Sequence, residues 1–182
     1  SNRPLRGSKG MLYEGGIRVP FVAHWSGQFG PARVENTPVI GVDLLPTILN
    51  LAGGNPSKKQ FIDGESIVPL LRQKKHRLET RPIYWHFPAY LERYRGLPEE
   101  GPFRTTPASA MRVGRWKLIR FYELGREELY DLEMDLAEAN DAYATNPDIA
   151  QQLSTKLDGW LKQTKAFLPT KQNPKYSGAK GE

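Results

Sequence analysis

The spacing of apolar residues changes several times along this chain, and each change predicts a different kind of element. Residues 4–16 hold Gly7, Gly10, Gly15 and Gly16 in a basic stretch, which predicts a loop whose backbone turns sharply or approaches a ligand closely. Val19 to Trp25 reads as a short strand, with Pro20 near its start, where a missing ladder donor is tolerated. Leu44, Leu45, Ile48, Leu49 and Leu51 then fall at helical spacing behind Asp43 as N-cap, with Pro46 in the first turn and Gly53-Gly54 as the stop. A second short helix is expected over Ser66 to Leu71, and the charged stretch Arg72 to Arg81 marks a boundary.

Beyond that boundary the pattern predicts strands over Pro82–Phe87, Ala108–Val113, Trp116–Tyr122 and Glu127–Leu132, with Ala89 to Pro107 as a long loop. Gly114-Arg115 is a two-residue connection with Gly first, as a type II′ hairpin requires, and Gly125 marks the next turn. Connections this short exclude parallel crossovers, so a four-stranded antiparallel sheet is expected. Asn146 as cap, Pro147 at N1 and Asp148 in the first turn open a last helix. Its apolar residues Ile149, Leu153, Leu157, Trp160 and Leu161 recur on one face, which predicts that it lies across the sheet.

The chain has 182 residues, of which 38% are hydrophobic and 25% charged, the balance of a globular protein with a real core. No apolar run approaches the roughly 18 residues needed to span a bilayer, and residues 1–7 lack the apolar core of a signal peptide. With no cysteine, the chain has no disulfide, thiolate metal site or cysteine nucleophile. Twenty-six basic against 20 acidic residues give a formal charge of +6, compatible with nucleic acid, an anionic glycan or a solubilising surface. No helix-turn-helix, zinc-finger or RNP pattern accompanies the charge, so a nucleic-acid partner is not expected. The one basic run, Lys74-Lys75-His76-Arg77, reads as a solvated linker.

Candidate chemistry is sparse. His24, His76 and His86 do not stand at metal-ligand spacing, and no HExxH, P-loop or GxSxG motif occurs. His24 reads as a core histidine and His76 as solvated. His86 stands at a strand end before a long polar loop, where sites are commonly built. In Gly7-Ser8-Lys9-Gly10, a compact positive charge between glycines suits a tetrahedral anion such as phosphate or sulfate, and an exposed turn lysine is the plain alternative.

The longer string from Pro4 through Arg6, Gly7, Lys9, Gly10, Tyr13, Glu14, Gly15, Gly16 and Arg18 to Pro20 closely resembles PLRGxKGxxYEGGxRVP of the arylsulfatase family, within the alkaline phosphatase superfamily. Further echoes follow in order: Val42-Asp43-Leu44-Leu45-Pro46-Thr47, Asp63-Gly64-Glu65-Ser66, Tyr84-Trp85-His86-Phe87-Pro88, Arg112-Val113-Gly114-Arg115-Trp116-Lys117-Leu118-Ile119, Glu128-Leu129-Tyr130-Asp131-Leu132 and Asn173-Pro174-Lys175-Tyr176. The resemblance implies an α/β, alkaline-phosphatase-like fold of which this chain is a C-terminal piece. Residues 1–75 would belong to the large α/β domain and 76–169 to a small subdomain built from the antiparallel sheet and the C-terminal helix, with 170–182 a polar tail.

The resemblance also implies an activity, sulfate-ester hydrolysis, and a division of labour. Members place a formylglycine nucleophile, made from Cys or Ser in C/S-x-P-x-R, and the ligands of a calcium ion in their N-terminal portion. Neither motif occurs here, so the chain alone is expected to be inactive and to bind no cofactor. Lys9 matches the lysine that contacts the sulfate. His86 matches a position facing the cleft in many members, which implies substrate contact or proton donation to the leaving group, against the alternative of a histidine bracing the strand end. Glu14, Gly15, Gly16 and Arg18 would shape the loop, the glycines by adopting backbone angles closed to other residues. The implied substrate is a sulfated carbohydrate or aryl sulfate, and the implied location periplasmic or secreted. Two other readings stand beside this one: a non-catalytic basic glycan-binding or interaction module, and a phosphodiesterase or phosphonate hydrolase of the same superfamily.

Overall fold

A computed structural model describes residues 2–54, 57, 59–72, 81–92 and 103–176. The chain divides into two compact units, one of Ser1–Val19 with Pro82–Glu182 and one of Pro20–Arg81. The sequence grouped residues 1–19 with 1–75. The structure packs them on the sheet instead, because their side chains are bonded to strands more than a hundred residues away. Most of the stretch around the expected boundary, including His76 and its basic run, lies outside the described residues.

In chain order the elements are α1 (Glu14–Ile17), a 3₁₀ turn (Gly41–Asp43), α2 (Leu44–Leu51), α3 (Val68–Leu71), β1 (Ile83–Phe87), β2 (Leu91–Glu92), β3 (Phe103–Thr105), β4 (Ala108–Val113), β5 (Trp116–Phe121), β6 (Arg126–Asp131) and α4 (Pro147–Gln163). β1, β4, β5 and β6 form the expected four-stranded antiparallel sheet, in the order β1-β4-β5-β6, with short turns joining β4 to β5 and β5 to β6. Val113 pairs with Trp116 across the two-residue turn, where Gly114 supplies the positive φ of +58°.

Strand alternation gives the sheet two different faces. Met111, Leu118 and Leu129 point to one side and meet Ala150, Leu153, Leu157 and Leu161 of α4, while the Tyr84 and Trp160 rings stack 4.7 Å apart. Ala110, Ile119 and Tyr130 point to the other side and are covered by Leu12 and Tyr13 of the N-terminal loop. α4 therefore lies across the sheet as its apolar stripe predicted. Its start differs in detail: Asn146 stands at the N-cap position but its side chain makes no cap bond, and its Nδ2 donates to the Ala142 carbonyl at 3.2 Å and to Thr145 Oγ1 at 3.0 Å. The polar tail is docked at least as far as Asn173, whose N–H donates to the Glu123 carboxylate at 2.9 Å.

β2 and β3 form a separate antiparallel ribbon inside what the sequence read as an open loop. The strands, of two and three residues, are too short to show a period-two signal.

In the second unit, α2 has the predicted span and ends in a Schellman closure: Gly54 N–H reaches the Leu49 carbonyl at 2.9 Å and Gly53 N–H the Asn50 carbonyl at 3.2 Å. Asp43 is not its side-chain cap. The carboxylate is buried and instead accepts the backbone N–H groups of Ile40 and Glu65 and an ion pair from Arg81. The apolar stripe is largely uncovered within this chain, with Ile48 62% exposed. Val19 to Trp25 forms neither helix nor strand, and Val22 is 89% exposed, so the predicted strand is not formed. A strand needs a ladder partner, and none of the described residues supplies one here.

Candidate functional site

The motif loop of residues 6–18 is built onto the open face of the sheet by charge. Lys117, the second residue of β5, is fully buried, and its ammonium donates to Glu14 Oε1 at 3.0 Å and Glu138 Oε1 at 2.8 Å. The other Glu138 oxygen accepts the Glu14 N–H at 2.6 Å. Arg18 and Arg112 approach the second Glu14 oxygen at 3.8 and 3.9 Å, which adds positive charge beside that carboxylate. Burial pushes the Glu138 carboxyl up, and the Lys117 ammonium opposes that shift.

A second set of bonds holds the near side of the loop. The Arg6 guanidinium donates to the Tyr130 hydroxyl at 2.9 Å and the Glu138 carbonyl at 2.8 Å, and lies 4.1 Å from the centre of the Tyr13 ring. The hydroxyls of Tyr13 and Tyr130 both donate to Glu128 Oε2 at 2.7 Å. Burial, with the Glu128 carboxylate beside them, holds both phenols well above their ordinary range.

Glycine serves the loop in a way the sequence misassigned. Gly15 and Gly16 lie in α1 and do not need special angles. They are required by close approach: a Cβ on Gly16 would stand 2.0 Å from the Met11 carbonyl oxygen, and one on Gly15 2.5 Å from that of Arg6. Gly7 and Gly10 are the conformational glycines, with φ +79° and +91°.

Lys9 comes out of this construction exposed, one residue before Gly10. Its carbonyl accepts a hydrogen bond from Arg104 Nη1 at 3.0 Å, so β3 reaches the backbone of the candidate lysine. An ammonium presented on a fixed backbone is suited to meet an anionic oxygen from solvent.

His86 is elsewhere. Its Nδ1 is 2.7 Å from Ser109 Oγ and its Nε2 2.8 Å from the Phe167 carbonyl, with the Tyr122 hydroxyl 2.8 Å from Ser109 Oγ. Ser109 shares the α4 face with Met111, whereas the loop carrying Lys9 packs on the opposite face. The structure thus does not bring the two candidates together, and both His86 ring nitrogens are engaged within the protein. His24, expected in a core, is exposed and lines an open apolar groove of about 350 Å³ with Phe21, Trp25 and Phe29. That groove lacks convergent polar groups and does not suit an anion.

Sequence reading missed Lys117, Glu138 and Arg104. A signal existed for Lys117, which stands between Trp116 and Leu118 in register with Ile119, an inward position where a lysine must find buried partners. Glu138 and Arg104 lie in segments without periodicity and had no such signal.

The family model for N-sulphoglucosamine sulphohydrolase, C-terminal, matches residues 8–166. A sulfatase of Formosa agariphila is 35% identical over 175 residues, covering 88% of this chain and 30% of the relative. Among solved structures, Ps i-CgsB aligns with a TM-score of 0.70 at 26% identity, over 88% of this chain and 32% of its own. Its complex with k-i-k-neocarrahexaose aligns with a TM-score of 0.66, again at 26% identity and over the same shares. BT1596, a 2-O GAG sulfatase, gives 0.54 at 27% identity, over 72% of this chain and 27% of its own. The chain spans about a third of the length of these proteins.

Proposed function

Since the chain belongs to the N-sulphoglucosamine sulphohydrolase C-terminal family and has sulfatases as its relatives, we propose that it is the C-terminal part of an enzyme hydrolysing sulfate esters of a sulfated glycan, with Lys9 contacting the sulfate. The observation that carries this reading is the presentation of Lys9: an exposed ammonium on a loop whose backbone is tied to the sheet by Lys117, Glu138, Arg6 and Arg104. Its chemical role is to neutralise an anionic oxygen of the ester and stabilise charge that develops as the S–O bond breaks. A glycan is favoured by the +6 charge and by relatives that bind a neocarrahexaose or act as a GAG sulfatase. An exported protein fits such a substrate, and no helix among the described residues is long and apolar enough to cross a membrane.

The described residues offer no set that fits the calcium ion that the resemblance implies, and the sequence offers no motif for the formylglycine. Among the described residues no three His, Asp or Glu side chains converge, and the sequence has no C/S-x-P-x-R string. In this reading both groups belong to the remainder of the protein, and no step is derived through them. His86 takes the bracing role, because substrate contact would require it to give up Ser109 or Phe167.

The test is kinetic. The intact protein carrying this chain is assayed for sulfate release from 4-nitrophenyl sulfate and sulfated oligosaccharides, with a phosphodiester and a phosphonate monoester as comparators. Lys9→Ala is expected to lower kcat by about 10²-fold or more with little change in KM. Lys9→Arg should restore only part, since a planar fork does not reproduce a compact ammonium. A Lys9→Ala enzyme within twofold of wild type, glycan binding without turnover, or preferred phosphoester cleavage would overturn the proposal.

A further inference from the structure

We propose that Arg104 is a positioning residue for Lys9, and that the β2–β3 ribbon is the device that fixes where Lys9 presents its charge. This rests on the assignment of Lys9 to the sulfate made above. The bonds from Arg6, Tyr13 and Glu14 anchor the loop where it meets the sheet, but none of them touches the Lys9–Gly10 peptide. That peptide is gripped from the ribbon. Arg104 Nη1, on β3, donates to the Lys9 carbonyl at 3.0 Å. Around Gly10, a Cβ would meet Leu91 Cδ1, from β2, at 2.3 Å and Arg104 Nη2 at 3.6 Å. Leu91 and the guanidinium therefore bracket the backbone on which the lysine is mounted, and Leu91 pairs with Thr105 in the ribbon that carries Arg104.

The consequence for Lys9 is mechanical. A lysine ammonium rides on a long flexible stem, so its mean position follows the peptide that carries the stem. A backbone at φ +91°, released from Arg104, has other loop conformations open to it, because glycine explores the left- and right-handed regions almost equally. A charge-stabilising group displaced by about 1 Å can cost on the order of 10²-fold in rate. Arginine suits this role better than lysine, since its planar fork keeps one donor on the carbonyl while the second stays beside Gly10.

The test is a double-mutant cycle in the intact enzyme with a backbone readout on this chain. Arg104→Ala is expected to lower kcat roughly 10-fold with KM within about twofold, inside the range that misplacement allows. Arg104→Lys should recover part of the loss. Lys9→Ala combined with Arg104→Ala should be no slower than Lys9→Ala alone, because a positioning residue has nothing left to position. Hydrogen exchange on the chain should show the Gly10 and Met11 amides faster in Arg104→Ala, while α4 is unchanged. If Lys9→Ala is deleterious but Arg104→Ala is silent, or its loss adds in full to that of Lys9→Ala, the positioning role is wrong and the Lys9 assignment stands. If Lys9→Ala is itself silent, the Lys9 assignment falls, and unchanged exchange at Gly10 would overturn the grip of Arg104 separately.

Discussion

Lys117→Met tests the anchor of the motif loop. Methionine keeps the length and most of the apolar contact of the lysine stem, so the perturbation is the removal of one charge from a site with 0% exposure. Two carboxylates remain: Glu138, also at 0%, and Glu14, at 3%. Arg18 and Arg112 stand near only one of them, at 3.8 and 3.9 Å from Glu14. Removing one partner of a buried ion pair costs about 3–5 kcal/mol, most of it the penalty of the charge left behind. At about 2–4 °C per kcal/mol for a chain of this size, the melting temperature should fall by roughly 6–20 °C. The triple variant Lys117→Met, Glu14→Gln, Glu138→Gln removes both carboxylate charges as well. With no buried charge left, it should be more stable than Lys117→Met alone. Thermal unfolding of wild type, single and triple variants, followed by circular dichroism, decides the matter. A single variant within about 2 °C of wild type, or a triple variant that melts below the single one, would refute the account of the anchor.

Three further outcomes follow from the same geometry. Tyr13 and Tyr130 have folded-state pKa values raised above the unfolded value of about 10, so the stability they carry is present below pH 10 and is lost as pH rises beyond it. Melting temperatures between pH 8 and 11 should fall steeply at the alkaline end, less so in Tyr13→Phe, and phenolate absorbance should show both tyrosines ionising late. Gly16→Ala places a Cβ 2.0 Å from the Met11 carbonyl oxygen, which is backbone and cannot swing away, so the loop must open. Intact enzyme carrying Gly16→Ala should lose activity at least as severely as Lys9→Ala, with α4 protected as before in hydrogen exchange. Leu157→Ala removes a fully buried side chain from the α4–sheet core and should cost about 2–5 kcal/mol by urea unfolding, while leaving the loop bonds in place.

The sequence by itself determined the elements whose information is local. The two-residue turn at Gly114 leaves only an antiparallel pairing, and the apolar spacing from Ile149 to Leu161 calls for a helix with one buried face. Gly53-Gly54 ends α2 because a left-handed residue is needed there and glycine supplies it. The motif string also identified the family, since a long ordered match carries information that no single residue does. Tertiary structure decided what those elements are used for. Lys117, Glu14 and Glu138 meet only because β5 brings a buried ammonium under the loop, and no periodicity encodes the partner of a charge. The same holds for Arg104, whose value lies in a carbonyl 95 residues earlier in the chain. The resemblance implies substrate contacts for both His86 and Lys9, yet pleating sends His86 to the α4 face and the loop to the other. Whether Val19 to Trp25 becomes a strand depends in turn on an edge to pair with, a property of neighbours rather than of the segment.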